Sequence, residues 1–115
     1  MTAKEAFGNL SDKYGEDFNW GVLSPTDTYF VEELKKEIGA DNILFEYNVK
    51  AVARSYSSDE ALYLIKGIND KDVYRIYHLT YSSRNMKGFP KYEEFSDIDN
   101  VSEYIEKKYV EEYYF

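Results

Sequence analysis

Val73-Tyr74-Arg75-Ile76-Tyr77-His78-Leu79-Thr80-Tyr81-Ser82 is the stretch around which the rest of the chain is read. It is dense in β-branched and aromatic residues, which suit a pleated surface, and it lies between two turn signals. Val73, Arg75, Tyr77, Leu79 and Tyr81 form one alternating set. Tyr74, Ile76, His78, Thr80 and Ser82 form the other. A strand with one wet face would show one polar set, and neither set is polar here. The expectation is a central strand covered on both faces, with Arg75 and Tyr77 reaching toward the rim.

On the N-terminal side, residues 61–68 read as a neighbouring strand, with Leu62, Tyr63, Leu64 and Ile65 as a nearly continuous apolar run. Asn69-Asp70-Lys71-Asp72 then makes a four-residue hairpin loop. Residues 43–54 show a period of two. Ile43, Phe45, Tyr47, Val49, Ala51 and Ala53 fall on one side, and of the other six only Leu44 and Val52 are apolar. That pattern predicts a strand with one wet face and room for a bend near Asn48. Ser55 to Asp59 is a polar turn. On the C-terminal side, Ser83-Arg84-Asn85-Met86-Lys87-Gly88-Phe89-Pro90 reads as a basic loop with Met86 and Phe89 exposed. Residues 91–95 then form a short edge strand blunted by its charges.

Helices flank this region. Thr2-x-x-Glu5 has the spacing of a capping box, Ala3, Phe7, Leu10 and Tyr14 follow at helical intervals, and Gly15 is a natural stop, so a helix is expected over 3–14. Residues 16–23 read as a linker in which Trp20 plugs the gap between helices. Ser24-Pro25 opens a second helix with Phe30, Val31, Leu34 and Ile38 inward, closed by Gly39. Ser96 or Asp97 caps a last helix with Ile98, Val101, Ile105, Tyr109 and Tyr113 inward and Tyr104 and Tyr114 beside them.

The 115 residues suit a single domain, 1–115, and no run approaches a membrane span. The chain has no cysteine, which excludes disulfides and thiolate chemistry. The first residues lack the apolar segment of a secretory signal, so the expectation is a cytoplasmic protein. The formal net charge is −8, and its layout is uneven. Residues 1–42 carry nine acids and four bases, 43–91 five acids and eight bases, and 92–115 eight acids and two bases. A mildly basic middle inside an acidic chain argues against nucleic-acid binding. Acidic ends suit either solvated surface or a basic partner. The 13 tyrosines suit half-buried sites or interfaces.

Val49-Lys50-Ala51-Val52-Ala53-Arg54, Ser58-Asp59-Glu60-Ala61-Leu62 and His78-Leu79-Thr80-Tyr81-Ser82 together resemble a set of small uncharacterised bacterial proteins. In these a Val-Ala-Arg segment precedes a Ser/Asp-x-x-Leu turn and a His-Leu-Thr-Trp-Ser strand. Tyr81 stands where that pattern has Trp. The resemblance carries no activity. It implies that residues 49–82 act as one module, and it groups Arg54, Asp59 and His78 as a candidate ligand site.

With a single histidine and no cysteine, the usual zinc and thiol sites are excluded. No phosphate-cradling loop and no nucleophile elbow occur. The expectation is therefore no cofactor, no metal and no catalytic residue. His78 is the side chain suited to proton transfer near neutral pH, given a carboxylate such as Asp59 or Asp72 aimed at its ring. The other reading is a sheet histidine bonded to its neighbours.

The fold expected is α+β: two N-terminal helices, a three- to four-stranded antiparallel meander and a C-terminal helix, with the helices on one face of the sheet. The expected function is non-catalytic binding of a basic protein, after the pattern of a bacterial immunity protein against a toxin or nuclease. The expected contact residues are Tyr92, Glu93, Glu103, Tyr104, Glu106, Glu111, Glu112 and Tyr114. A self-associating small-ligand or protein-binding module, monomer or homodimer, is the alternative, and a small enzyme using His78 is the third reading.

Overall fold

A computed structural model describes residues 1–39, 42–68, 70–81 and 89–114. The elements are α1 (Ala3–Tyr14), β1 (Trp20–Val22), α2 (Tyr29–Ile38), β2 (Asn48–Ser55), β3 (Glu60–Ile68), β4 (Lys71–His78), β5 (Tyr92–Phe95) and α3 (Ile98–Tyr113). Short 3-10 turns occupy Gly15–Asp17 and Ile43–Glu46. The five strands form one antiparallel sheet in the order β1-β2-β3-β4-β5. The α+β class stands, while the sheet has one strand more than the meander expected.

Local chemistry sets the helix ends. The Glu5 N–H donates to the Thr2 hydroxyl at 3.1 Å and the Thr2 N–H to Glu5 Oε1 at 3.3 Å, which completes the capping box. Gly15 ends α1 at φ 82°, in the left-handed region that glycine enters without a Cβ clash. Asp97 caps α3, its carboxylate accepting the Asn100 N–H at 2.8 Å. Ile98, Val101, Ile105 and Tyr109 are buried along α3 as their spacing predicts, but Tyr113, in the last turn, is exposed.

The second helix starts later than expected. Ser24-Pro25 does not open it: the Leu23 N–H still bonds the Val52 carbonyl of the sheet at 2.9 Å, and the Asp27 N–H turns back to the Ser24 carbonyl at 3.0 Å. Asp27 Oδ1 then accepts the Tyr29 N–H at 2.9 Å, and α2 begins there. The linker expected over 16–23 holds β1, and Trp20 lies on that strand rather than between helices. Its ring packs 6.0 Å from Phe7 of α1.

The alternation over 43–54 misled for a related reason. Asn42 Oδ1 accepts the Leu44 N–H at 2.9 Å and starts a 3-10 turn, so Leu44 is buried and Ile43 is 66% exposed. The strand runs only from Asn48, and its register shifts between Ala51 and Ala53. Ile68 pairs with Lys71, so two positions rather than four separate β3 from β4, and Asp70 takes φ 62°. The central strand is β3, not β4, because β1 adds a strand beyond β2. The loop expected over 83–90 lies outside the described residues up to position 88; Phe89 is exposed.

Helices cover both faces of the sheet, not one. On one face α1 and α3 meet Ala53, Leu62 and Ile76; on the other α2 meets Ala61, Tyr63, Ile65 and Tyr77. Both faces of β4 are covered, as its mixed sets predict. Leu62, Ile65 and Ile76, fully buried, each contribute roughly 1.5–3 kcal/mol by leaving water.

Candidate functional site

His78 ends β4 opposite Glu60 of β3, and β5 brings Glu93 alongside. The His78 N–H bonds the Lys91 carbonyl at 2.8 Å, which fixes the backbone at this corner. The ring lies between two carboxylates: Nε2 is 2.6 Å from Glu93 Oε2 and Nδ1 is 3.4 Å from Glu60 Oε2. Ser58 Oγ donates to the second oxygen of Glu60 at 2.7 Å. The partners of His78 are thus Glu60 and Glu93, not Asp59 or Asp72. Asp72 sits near the far end of β4, and Asp59 receives the Leu79 N–H on its backbone carbonyl at 2.8 Å.

Tyr104 and Lys108 of α3 bear on this row. The Lys108 ammonium is 5.5 Å from the centre of the Tyr104 ring. Burial first, and the charge of Glu93 next, hold the Tyr104 hydroxyl above its usual range. Lys108 is held up mainly by Tyr104, with help from Glu60 and Glu93. Proton transfer to a substrate needs a ring nitrogen that faces it, and both nitrogens of His78 face carboxylates. The two carboxylates sit on opposite sides of the ring, and among the described residues no three His, Asp or Glu side chains could hold a metal ion.

The residues expected to act with His78 are elsewhere. The Arg54 guanidinium lies 5.6 Å from the Phe30 ring of α2 and 5.0 Å from Tyr56. Its strand neighbour Gly21 leaves room for that arrangement, since a Cβ there would fall on the Tyr56 ring. The charges of Arg54 and Asp59 both bear on Tyr81. Arg54 and Asp59 thus belong to the α2 face, and the sheet separates them from His78.

The expected contact residues divide as well. Tyr92 lies on the α2 face, with the Arg75 guanidinium 4.3 Å from its ring and the tilted Tyr77 ring 4.9 Å away. Glu93 is taken by His78. Glu106 ties α3 to α1, accepting from Lys13 Nζ at 2.6 Å and the Tyr14 hydroxyl at 2.7 Å, and those two bonds hold its carboxyl below its usual range. Tyr104 packs on Phe95. Glu103, Glu111, Glu112 and Tyr114 are exposed.

Beside the last turn of α3 a cavity of about 360 Å³ opens. Trp20, Ile105 and Tyr109 form its apolar wall, and Glu60, Glu111, Glu112 and Lys108 its charged rim. Asn19 lines it too; its Nδ2 donates to Ser57 at 2.8 Å, while its Oδ1 is buried without a hydrogen-bond partner. Exposed Tyr113 and Tyr114 close the same end of the helix.

Sequence reading missed a second cluster. Glu33 and Glu37 are more than nine-tenths buried in α2. Glu37 accepts the Thr80 N–H and hydroxyl, both at 2.8 Å, and the Tyr81 N–H at 3.0 Å. Tyr81 sits at φ 56°, so the successive N–H groups of 80 and 81 make a concave backbone seat for the carboxylate. Burial pushes the Glu37 carboxyl up, but bonds from Glu33, Thr80 and Tyr81 outweigh it and hold the carboxyl below its usual range. Glu33 is held above its usual range by burial and by Glu37, against the pull of Lys36 at 2.9 Å. Its Oε2 is buried without a hydrogen-bond partner, in keeping with a raised carboxyl. The signal was present: Phe30, Glu33, Leu34 and Glu37 fall at the spacing of a buried stripe.

No protein-family model, no curated protein and no solved structure matches this chain. Among the described residues no helix is long and apolar enough to cross a membrane.

Proposed function

We propose that the chain is a non-catalytic binding protein that meets a basic protein through the C-terminal half of α3, in the manner of an immunity-type inhibitor of a basic bacterial toxin or nuclease. The observation that carries this reading is the cavity beside α3. A lysine or arginine side chain suits it: the aliphatic stem lies along Trp20, Ile105 and Tyr109, and the cation meets Glu111 and Glu112. Exposed Tyr113 and Tyr114 add aromatic contact area at low entropic cost. The occupied ring of His78 supports a structural role for that residue over a catalytic one.

The test begins with capture from a lysate of the source organism at low and high salt. A basic protein retained at low salt is then purified and its association rate followed against ionic strength. The expected rate falls as salt rises, and Glu111→Gln with Glu112→Gln lowers it severalfold while the fold is kept. A partner whose rate ignores both salt and these substitutions ends the reading.

A further inference from the structure

The short strand β1 leaves most of β2 uncovered. It pairs only with Ala53, Arg54 and Ser55, and the Leu23 N–H adds one bond to Val52. The chain then turns away through Ser24 and Pro25 toward α2. On that side Asn48, Val49, Lys50 and Ala51 have no strand partner among the described residues. Alternate N–H and C=O groups along these four residues face outward, which is a template for another strand.

A cavity of about 520 Å³ runs along this bare edge, between β2 and α2, with Leu23, Val31, Val49 and Ala51 as its apolar wall. Val49 and Ala51 stand opposite Ile65 and Tyr63 and so belong to the α2 face; Lys50 stands opposite Leu64 on the other face and is exposed. Four residues span about 13 Å of strand. A segment laid along them would drop alternate side chains into the cavity and set the intervening ones beside the Lys50 ammonium. Lys50 makes no ion pair among the described residues. The opposite edge of the sheet, β5, is guarded by Glu93 and Glu94, whereas this edge carries one lysine.

We propose that the open edge of β2 at residues 48–51 takes one extended segment of a partner protein, apolar at alternate positions and acidic beside Lys50. Charge complementarity selects that occupant. Pairing this edge with itself about a two-fold axis would bring one Lys50 toward another, which disfavours a second copy. The site is separate from the α3 cavity and does not depend on the reading given to it.

A displayed library of random octapeptides, selected on the full chain, tests this. The selected peptides are expected to alternate apolar residues with Asp or Glu. Amide shifts of the labelled protein with a selected peptide should concentrate on residues 48–52, and exchange of those amides should slow. Lys50→Glu should weaken acidic peptides at least fivefold and turn the selection toward Lys or Arg; Lys50→Gln serves if that variant folds poorly. Recovery of no peptide, shifts centred elsewhere, or an affinity indifferent to Lys50 overturns the proposal. So does protection of 48–51 in the protein alone that rises with concentration alongside a dimer in sedimentation, which gives the edge to a second copy.

Discussion

The two faces of the sheet are closed in different ways. On one, α1 and α3 lie side by side over Leu62, Ile76 and Ala53, and the ionisable groups stay at the perimeter: Glu106 with Lys13, and His78 between Glu60 and Glu93. On the other, the ten residues of α2, joined by Leu44 of the 3-10 turn, cover Tyr63, Ile65 and Tyr77, and α2 carries two carboxylates inward. Two helices exclude water with apolar side chains. A single short helix is also fastened by hydrogen bonds, from Tyr63 to the Phe30 carbonyl at 2.7 Å and from Thr80 and Tyr81 to Glu37. Burial pushes the Tyr63 phenol far above its usual range, so it remains a donor at any working pH. The face with less hydrocarbon cover depends more on polar bonds, and those bonds respond to pH.

The largest effects should come from truncating each core. Ile105→Ala and Leu34→Ala both remove buried core side chains and should cost about 3 kcal/mol each in urea unfolding. The loss at Leu34 should be the smaller, since a lone helix settles into a void more easily than a packed pair. The reverse order would break the comparison. Glu37→Ala should cost about 2–3 kcal/mol because it strands the Thr80 and Tyr81 N–H groups, with the amide shifts of 80 and 81 moving most.

Glu33→Gln sharpens the pH argument. Glu33 titrates above its ordinary 4.5, so its contribution to stability is complete below that value and is lost as pH rises through the elevated one. Glu37 titrates below 4.5, so its contribution is present above that value and is lost as pH falls. Glutamine keeps a donor toward Glu37 without the charge. The variant should therefore gain stability over the parent at pH 7, by up to about 1 kcal/mol, and lose that advantage near pH 4. Thermal melts at the two pH values read this directly, and an equal gain at both would remove the protonated carboxyl from the account.

His78→Ala should cost no more than about 1 kcal/mol, because its ring is partly exposed and its carboxylates can turn to water. The disturbance should stay on the α3 face. Glu111→Gln with Glu112→Gln should change stability by less than about 0.5 kcal/mol, since both are surface residues, while slowing association with a basic partner.

Several features followed from sequence because their causes are local. The Thr2–Glu5 cap, the Gly15 stop, the buried stripe of α3 and the doubly covered character of β4 depend on residues within one or two turns of each other. The acidic character of residues 92–115 and the absence of thiol chemistry followed from composition alone. Other features needed the tertiary structure because pairing partners far apart in the chain decided them. A three-residue β1 became a strand only because β2 offered it an edge, and that moved the centre of the sheet from β4 to β3. The alternation at 43–47 yielded to a side-chain cap from Asn42. Only the strand register set Glu60 and Glu93 on either side of His78 and sent Arg54 and Asp59 to the opposite face. The acids of the α2 stripe were visible in sequence at a buried spacing, but the backbone seat that makes Glu37 stable inside forms only where Thr80 and Tyr81 leave the sheet beneath it.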